Sequence, residues 1–160
     1  MTQQTADDII RELGLQPLEP EGGHWAPAYR SQLTDANGQC ACGSILYLVT
    51  PESFSHFHKL TVDEIFHFCA GDPVDQIIIA PDGSTQVVRL GADMRVKGTR
   101  PVSVVPAGCW QAARLADGGS YALLAATTVP GYTDDCVQHA AAADLARIWP
   151  AHEAEIMRFA

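Results

Sequence analysis

Three histidines and two carboxylates lie within sixteen consecutive residues near the middle of the chain, HFHKLTVDEIFHFCAG. The histidines are His56, His58 and His67, and the carboxylates are Asp63 and Glu64. Imidazole and carboxylate groups are common ligands of divalent transition metals, and they are also the usual partners in general acid and base catalysis. The residue types alone leave open a third possibility, in which these side chains are only polar residues of a strand.

The spacing of the first two histidines predicts that they share one face of a strand. Side chains alternate between the two faces of a β-strand, so we expect His56 and His58 to point the same way, together with Phe54. If that face lines the interior of a barrel, both imidazoles approach the carboxylate of Glu64 on the next strand. Two imidazoles and one carboxylate suit a divalent transition metal that keeps open positions for a substrate.

The strand that follows presents two different faces. Glu64, Phe66 and Phe68 are expected on one face, whereas Asp63 and His67 are expected on the other. A carboxylate on an apolar strand is costly to bury unless it is paired, which favours Glu64 as part of a site. Aromatic side chains near the mouth of a barrel are candidates for a substrate pocket. The candidate pocket residues are Tyr29, Phe54, Phe66, Phe68 and His67.

The composition is that of a globular domain with an acidic surface. The chain has 160 residues, of which 47% are apolar and 18% charged, and its net charge is −9. This length favours one domain with one core over residues 1–160. An acidic surface repels phosphate backbones and anionic lipids, so we expect neither nucleic acid nor a membrane as a partner. The start of the sequence lacks the basic and apolar regions of a secretory signal. The five cysteines are odd in number and scattered, which favours reduced thiols over a disulfide framework, so we expect a cytoplasmic protein.

Short strands separated by turns dominate the middle of the chain. The segment ADDIIRELGL predicts a short amphipathic helix that ends at Gly14, and we assign residues 1–27 to this helix and a loop. Between residues 28 and 130, strands at spacings of roughly ten residues alternate with Gly, Pro, Asp and Asn turns, which is typical of an all-β sandwich or barrel. The clearest hairpin is IIIAPDGSTQVV. Residues 138–160 return to helical spacing, which Pro150 interrupts.

These residues resemble the cupin superfamily, whose first motif runs G-x5-H-x-H-x3-4-E-x6-G and whose second contains P-x-G. His56 and His58 supply the histidine pair, Glu64 supplies the carboxylate, and Gly71 follows at the spacing of the motif. The sequence Pro106-Ala107-Gly108 supplies the second motif. Longer stretches, SILYLVTPESFSHFHKLTVDEIFHFCAGDPV and VVPAGCWQAARL, resemble one branch in particular, the DUF985 or Cupin 5 proteins.

The resemblance implies an all-β fold, the cupin double-stranded β-helix (jelly-roll) barrel shared with sugar-nucleotide epimerases, with short helices at both ends and a homodimeric assembly. It also implies a divalent metal, with Gln111 at the position of the second-motif histidine. The implied ligands are His56, His58, Glu64 and Gln111, and these residue types leave Ni, Fe, Mn and Zn unresolved. Five residues separate His58 from Glu64, where the motif has three or four. Asp63 matches the motif spacing, but it would need a bulge to turn inward.

Three functions stay open at this point. The first is a small-molecule enzyme with His58 and Glu64 as catalytic residues, in which a divalent metal polarises a small polar or sugar-like substrate. The second is a metal-free enzyme of the epimerase or isomerase type, in which His58 is the base and Glu64 or Asp63 orients it. The third is a non-catalytic protein that binds a small ligand. The pairs Gly22-Gly23 and Gly118-Gly119 match no phosphate-binding motif, so we expect no nucleotide cofactor.

Overall fold

Strands are the main regular structure of the computed structural model, which describes residues 4–160. The strands are β1 (Gln16–Pro17), β2 (His24–Arg30), β3 (Gly43–Val49), β4 (Ser55–Leu60), β5 (Asp63–Gly71), β6 (Val74–Ile79), β7 (Thr85–Leu90), β8 (Thr99–Arg100), β9 (Val102–Val105), β10 (Trp110–Leu115), β11 (Ala122–Val129) and β12 (Val137–His139). The helices are α1 (Ala6–Leu13), α2 (Ala142–Ile148) and α3 (Glu153–Met157), with 3-10 turns at Asp134–Cys136 and Pro150–His152. None of the helices within residues 4–160 is long and apolar enough to span a membrane.

The strands form two six-stranded sheets that face each other. Sheet I has the order β1-β2-β3-β11-β5-β9, and sheet II has the order β12-β4-β10-β6-β7-β8. Neighbouring strands are antiparallel except for β7 and β8. The predicted all-β jelly-roll barrel is thereby confirmed. The predicted hairpin is present as β6 and β7, in which Ile79 pairs with Thr85 across the turn that contains Gly83.

The main core lies between the two sheets. Tyr47 and Leu124 from sheet I meet Val74 and Leu90 from sheet II in one buried cluster. At about 25 cal/mol per Å² of buried apolar area, such residues supply most of the free energy that holds the sheets together. The polar residues that project into the same interior therefore sit in an environment of low polarity, where charges interact strongly.

Helices cover the outer faces of both sheets. Helix α1 begins with a capping box between Thr5 and Asp8 and ends at Gly14, whose φ is 64°. Its Ile9 packs against Leu48 on the outside of sheet I. Helices α2 and α3 cover sheet II in a cluster that includes Phe57, Leu145 and Ile156. Because both faces of β6 are covered in this way, all six of its residues, VDQIII, are buried.

The strands extend beyond the predicted barrel bounds of 28–130. Strand β1 begins at residue 16 and β2 at residue 24, so the segment predicted as loop before residue 28 contains sheet I residues. Strand β12 adds residues 137–139 to sheet II before the C-terminal helices begin. Strand β2 contains Ala26, Pro27 and Ala28, which have low strand propensity, and it depends on its pairing with β3 to be a strand.

Candidate functional site

A cavity of about 510 Å³ opens into the barrel. Its walls come mainly from the inner face of sheet I, with contributions from β4 and from the loop between β1 and β2. Trp25, Ile45, Leu60 and Phe66 make these walls mainly apolar. This volume falls within the range of roughly 300–1,000 Å³ that is usual for small-molecule sites. Three ionisable side chains meet in its wall.

His58 is the centre of the polar group in the cavity wall. Its side chain projects from β4, and the residue is only 1% exposed. Nδ1 lies 2.9 Å from the backbone oxygen of His56, an acceptor, so Nδ1 carries a proton and donates it. Nε2 is left facing two carboxylates, at 3.8 Å from Glu21 Oε1 and 3.8 Å from Glu64 Oε2. The structure therefore brings His58 and Glu64 together, and it adds a third member.

The third member, Glu21, is the site residue that the sequence analysis missed. It lies in the loop between β1 and β2, and two glycines with positive φ follow it, Gly22 at 92° and Gly23 at 73°. A Cβ on Gly22 would lie 2.1 Å from the backbone oxygen of Phe54, and one on Gly23 would lie 2.5 Å from the Tyr47 hydroxyl. The close approach of this loop to the barrel therefore requires both glycines. The signal in the sequence was an acid directly before a glycine pair, EGG.

A β-bulge in β4 turns His56 away from the site. Gln111 on β10 pairs with His58, and Ala113 pairs with Ser55, so one residue of β10 faces two residues of β4. The extra residue places Ser55 and His58 on the same side, where both approach Glu21. His56 is exposed, and its ring packs against Phe54 at a centroid distance of 4.7 Å. The prediction that the two histidines share a face is wrong, because simple alternation does not hold across a bulge.

Gln111 also has a role different from the predicted one. Its Nε2 donates to Glu64 Oε2 at 2.5 Å, and its Oε1 accepts from Nε2 of Gln76 at 3.1 Å. A glutamine binds metal through its oxygen, and here that oxygen is already bonded to Gln76 on the side away from Glu64. Of the predicted metal set of His56, His58, Glu64 and Gln111, the structure therefore brings His58 and Glu64 together, while His56 and the Gln111 oxygen point elsewhere.

The donor set does not fit the metal centre that the cupin resemblance implied. Only His58 among the predicted nitrogen ligands points inward, and its partners are Glu21 and Glu64. Within residues 4–160, no group of three or more His, Cys, Asp or Glu side chains has an arrangement suited to holding a metal ion. What the geometry offers instead is one imidazole between two carboxylates.

Burial and mutual attraction perturb the ionisation of these groups in opposite ways. Burial lowers the pKa of His58, but the negative charges of Glu21 and Glu64 and the His56 carbonyl outweigh it, so that its pKa rises from 6.5 to about 9. Burial raises the pKa of Glu21, which His58 partly offsets and Glu64 increases. Burial, with Glu21 nearby, also raises the pKa of Tyr47. The site therefore places an imidazole whose protonated form is favoured beside a carboxyl group, that of Glu21, whose basicity is increased.

The remaining candidate pocket residues fall into two groups. Phe66 lines the cavity, and Tyr29 lies at its rim with 60% of its surface exposed. Phe54 lines a separate, smaller surface depression and lies beneath the Arg114 guanidinium. Phe68 packs against the main core, and His67 lies on the opposite face of β5 from Phe66. Of the five predicted pocket residues, Tyr29 and Phe66 therefore line this cavity, and Phe54, Phe68 and His67 lie outside its lining.

Asp63 anchors a turn and does not orient His58. Its carboxylate accepts a hydrogen bond from the backbone N–H of Ala107 at 2.8 Å, within the Pro-Ala-Gly turn that precedes β10. This contact ties the start of β5 to that turn and lies outside the cavity wall. Asp63, the predicted alternative partner of His58, lies apart from it, because β5 carries no bulge at this point that would turn its side chain inward.

Comparison with known proteins identifies relatives along the whole chain. Residues 7–140 match the family described as Cupin superfamily (DUF985), so the resemblance noted from the motifs is confirmed. A crystal structure of a Shewanella oneidensis protein is 31% identical, with a TM-score of 0.91 over 99% of this chain and 98% of that one. A hypothetical protein from Leishmania major is also 31% identical, with a TM-score of 0.87 over 98% of this chain and 99% of that one. No curated protein matches the chain.

More distant structures share the fold alone. A mutant of Bacillus subtilis oxalate decarboxylase is 13% identical, with a TM-score of 0.55 over 90% of this chain and 37% of that one. Another structure of that enzyme is described by its Mn(II) centers. At such low identity the likeness extends to the barrel and carries no information on the chemistry of this chain.

Proposed function

Since the chain belongs to the DUF985 family of the cupin superfamily, we propose that it is a small-molecule enzyme that transfers protons within its barrel cavity. One observation carries the proposal: Nε2 of His58 lies 3.8 Å from the carboxylates of both Glu21 and Glu64, in the wall of a cavity of about 510 Å³. Titratable groups with shifted pKa values in a pocket are characteristic of acid and base catalysis.

The two carboxylates are held differently, which supports different roles. Glu64 accepts a short hydrogen bond from Gln111 at 2.5 Å, so it is a fixed counter-ion for the imidazolium. Glu21 is held by a longer contact of 3.4 Å from the Ser55 hydroxyl, and burial raises its pKa. A less constrained carboxylate with a raised pKa is the better general base.

The reaction that these roles support is the exchange of a proton next to a carbonyl group. Glu21 removes a proton from the carbon beside the carbonyl, while Nε2–H of His58 gives its proton to the carbonyl oxygen, which forms a neutral enol. His58 keeps its other proton on Nδ1, where it remains hydrogen-bonded to the backbone oxygen of His56. Return of a proton from Glu21 to the same carbon, with the oxygen proton passing back to Nε2, completes an epimerisation. Where that carbon carries a hydroxyl group, the enol is an enediol. Transfer of the Glu21 proton to the former carbonyl carbon, with the proton of the second hydroxyl passing to Nε2, then completes an isomerisation. No electrons are gained or lost, so the step needs no redox partner.

The lining of the cavity favours a neutral substrate. Glu19 and Asp134 add negative charge around the cavity. Apart from His58, Arg30 is the one cation among the described residues that line it. A phosphorylated or nucleotide-linked substrate would meet net repulsion there. The mainly apolar walls suit a small neutral carbonyl compound, of which unphosphorylated sugars are one class.

Proton exchange can be tested without knowing the product. The protein is incubated in D2O with a panel of neutral aldoses, ketoses and hydroxyketones, and loss of the signal of the proton beside the carbonyl is followed by proton NMR. We expect Glu21→Gln and His58→Asn each to slow exchange by at least about 100-fold, the usual contribution of general acid or base catalysis. Glu52→Gln, at an exposed carboxylate, is the matched control and should leave exchange unchanged.

Two results would overturn the proposal. A compound that raises the melting temperature but exchanges no proton would make the protein a ligand-binding module. Near-stoichiometric Ni, Fe, Mn or Zn in tag-free protein, lost in His58→Ala but retained in Glu52→Gln, would make the same side chains a metal centre. Elemental analysis of the purified protein measures the second outcome directly.

A further inference from the structure

Two buried amides lie behind Glu64, and the proposed reaction does not use them. Gln76 on β6 is 0% exposed, and Gln111 on the neighbouring strand β10 is 1% exposed. Their surroundings are apolar, and β6 continues directly into Ile77, Ile78 and Ile79. Burying an amide is unfavourable unless it is hydrogen-bonded, so two of them at these positions need a reason.

The hydrogen bonds run in one direction, towards the site. Gln76 Nε2 donates to Gln111 Oε1 at 3.1 Å, and Gln111 Nε2 donates to Glu64 Oε2 at 2.5 Å. A carboxylate only accepts hydrogen bonds, so Glu64 requires the nitrogen of Gln111 on its side. Because the oxygen of Gln111 is occupied by Gln76, the amide is locked with its nitrogen facing Glu64.

In this arrangement the buried side-chain oxygen of Gln76 accepts no hydrogen bond from the described residues. A buried acceptor left without a donor is rare in native structures and calls for an explanation. The explanation that fits is that Gln76 contributes its NH2 group to the orientation of Gln111.

We propose that Gln76 and Gln111 are positioning residues, which hold the Glu64 carboxylate against Nε2 of His58. Their importance for catalysis rests on the proposed function, but their effect on His58 does not. The charged and titratable groups facing His58 are Glu21 and Glu64, with the His139 ring at 6.3 Å on the neighbouring strand β12. Without Gln111, Glu64 is free to turn away, and His58 keeps only one carboxylate against the effect of burial.

The test is the protonation of His58, read from its imidazole nitrogens by NMR without any substrate. We expect Gln111→Met to lower the ratio of imidazolium to imidazole by at least about tenfold, because Glu64 is then no longer held near Nε2 and one of the two negative charges that offset burial is lost. Gln76→Met should lower it by a smaller factor, because Gln111 remains but loses its orientation. Gln86→Met is the matched control, at an exposed glutamine on β7 of the same sheet, and should leave the ratio unchanged.

The outcomes separate this proposal from the proposed function. A folded Gln111→Met protein with an unchanged ratio would overturn the positioning role, and so would an equal change in Gln86→Met. If Gln111→Met fails to fold, Gln76→Met decides the question by the same measurement. A lowered ratio in a protein that exchanges no substrate proton would support the positioning role while removing the enzymatic one.

Discussion

Deprotonation of His58 is expected to destabilise the fold, and the site geometry sets the size of the effect. Burial lowers the pKa of this imidazole, but Glu21 and Glu64 outweigh burial and raise the pKa from 6.5 to about 9. A group whose pKa is higher in the folded protein stabilises it fully below the unfolded value, and the stabilisation is lost as the pH rises through the folded value. The loss is therefore expected between about pH 6.5 and somewhat above pH 9.

The magnitude follows from the difference between those two pKa values. At about 1.36 kcal/mol per pKa unit, it corresponds to ~3 kcal/mol of unfolding free energy. We propose urea unfolding at pH 6.5 and pH 10 for the wild-type protein and for His58→Gln. The wild type should lose ~3 kcal/mol more than the variant over this range. Tyr47 and Cys109, whose pKa values burial also raises, occur in both proteins, so their contributions cancel in the difference.

His56→Gln is the control for this measurement. It makes the same substitution two residues away on the same strand, at an exposed side chain outside the cavity. Its pH dependence should match that of the wild type. Equal losses in the wild type and in His58→Gln would refute the reasoning, because they would mean that the two carboxylates do not stabilise an imidazolium in the folded protein.

Three further predictions concern the loop, the assembly and the helices. Gly22→Ala should destabilise the protein by more than ~2 kcal/mol, since its Cβ would meet Phe54 O at 2.1 Å, whereas Gly38→Ala, at a similar φ with open space, should cost only ~1 kcal/mol by thermal unfolding. We propose a homodimer that uses the edge strand β9. Val104 on this strand is 53% exposed, so Val104→Lys should give a monomer by light scattering. A mass unchanged from that of a wild-type dimer would contradict this. Ile156→Ala should cost about 2–5 kcal/mol in urea, because this fully buried residue holds α3 on sheet II.

Much of the fold could be predicted because local signals and tertiary packing agree. Alternating apolar residues around a Pro-Asp-Gly turn predicted the β6–β7 hairpin, and acids before an apolar face with Gly14 after it predicted α1. The first part of strand β2, residues 24–27, was predicted as loop because HWAP has no clear alternation and becomes a strand through pairing with β3. Edge elements of this kind depend on the partner strand more than on their own residues.

The site was predictable only where strand alternation held. Glu64 follows the pattern of β5 and meets His58 as expected, whereas the bulge in β4 reverses the direction of His56. The position of a bulge depends on the register with β10, which the residues of β4 alone do not encode. Alignment to a motif likewise placed Gln111 beside the site, but the direction of its amide depends on Gln76, a residue of a third strand.

Glu21 was hidden for a different reason, and that reason bears on the chemistry. It is more than thirty residues from His58 in the sequence and belongs to a loop, so no strand period connects the two. The loop is anchored to the barrel by the Tyr47 hydroxyl, which donates to Gly22 O at 2.7 Å, and by the His56 N–H, which donates to Glu21 O at 2.7 Å. The carboxylate of Glu64 is thus fixed on a strand by the Gln111 amide, whereas that of Glu21 is positioned by a loop. Two carboxylates held in such different ways can differ in basicity. The proposed roles require such a difference, because Glu21 must act as a base while Glu64 remains a counter-ion of the same imidazole.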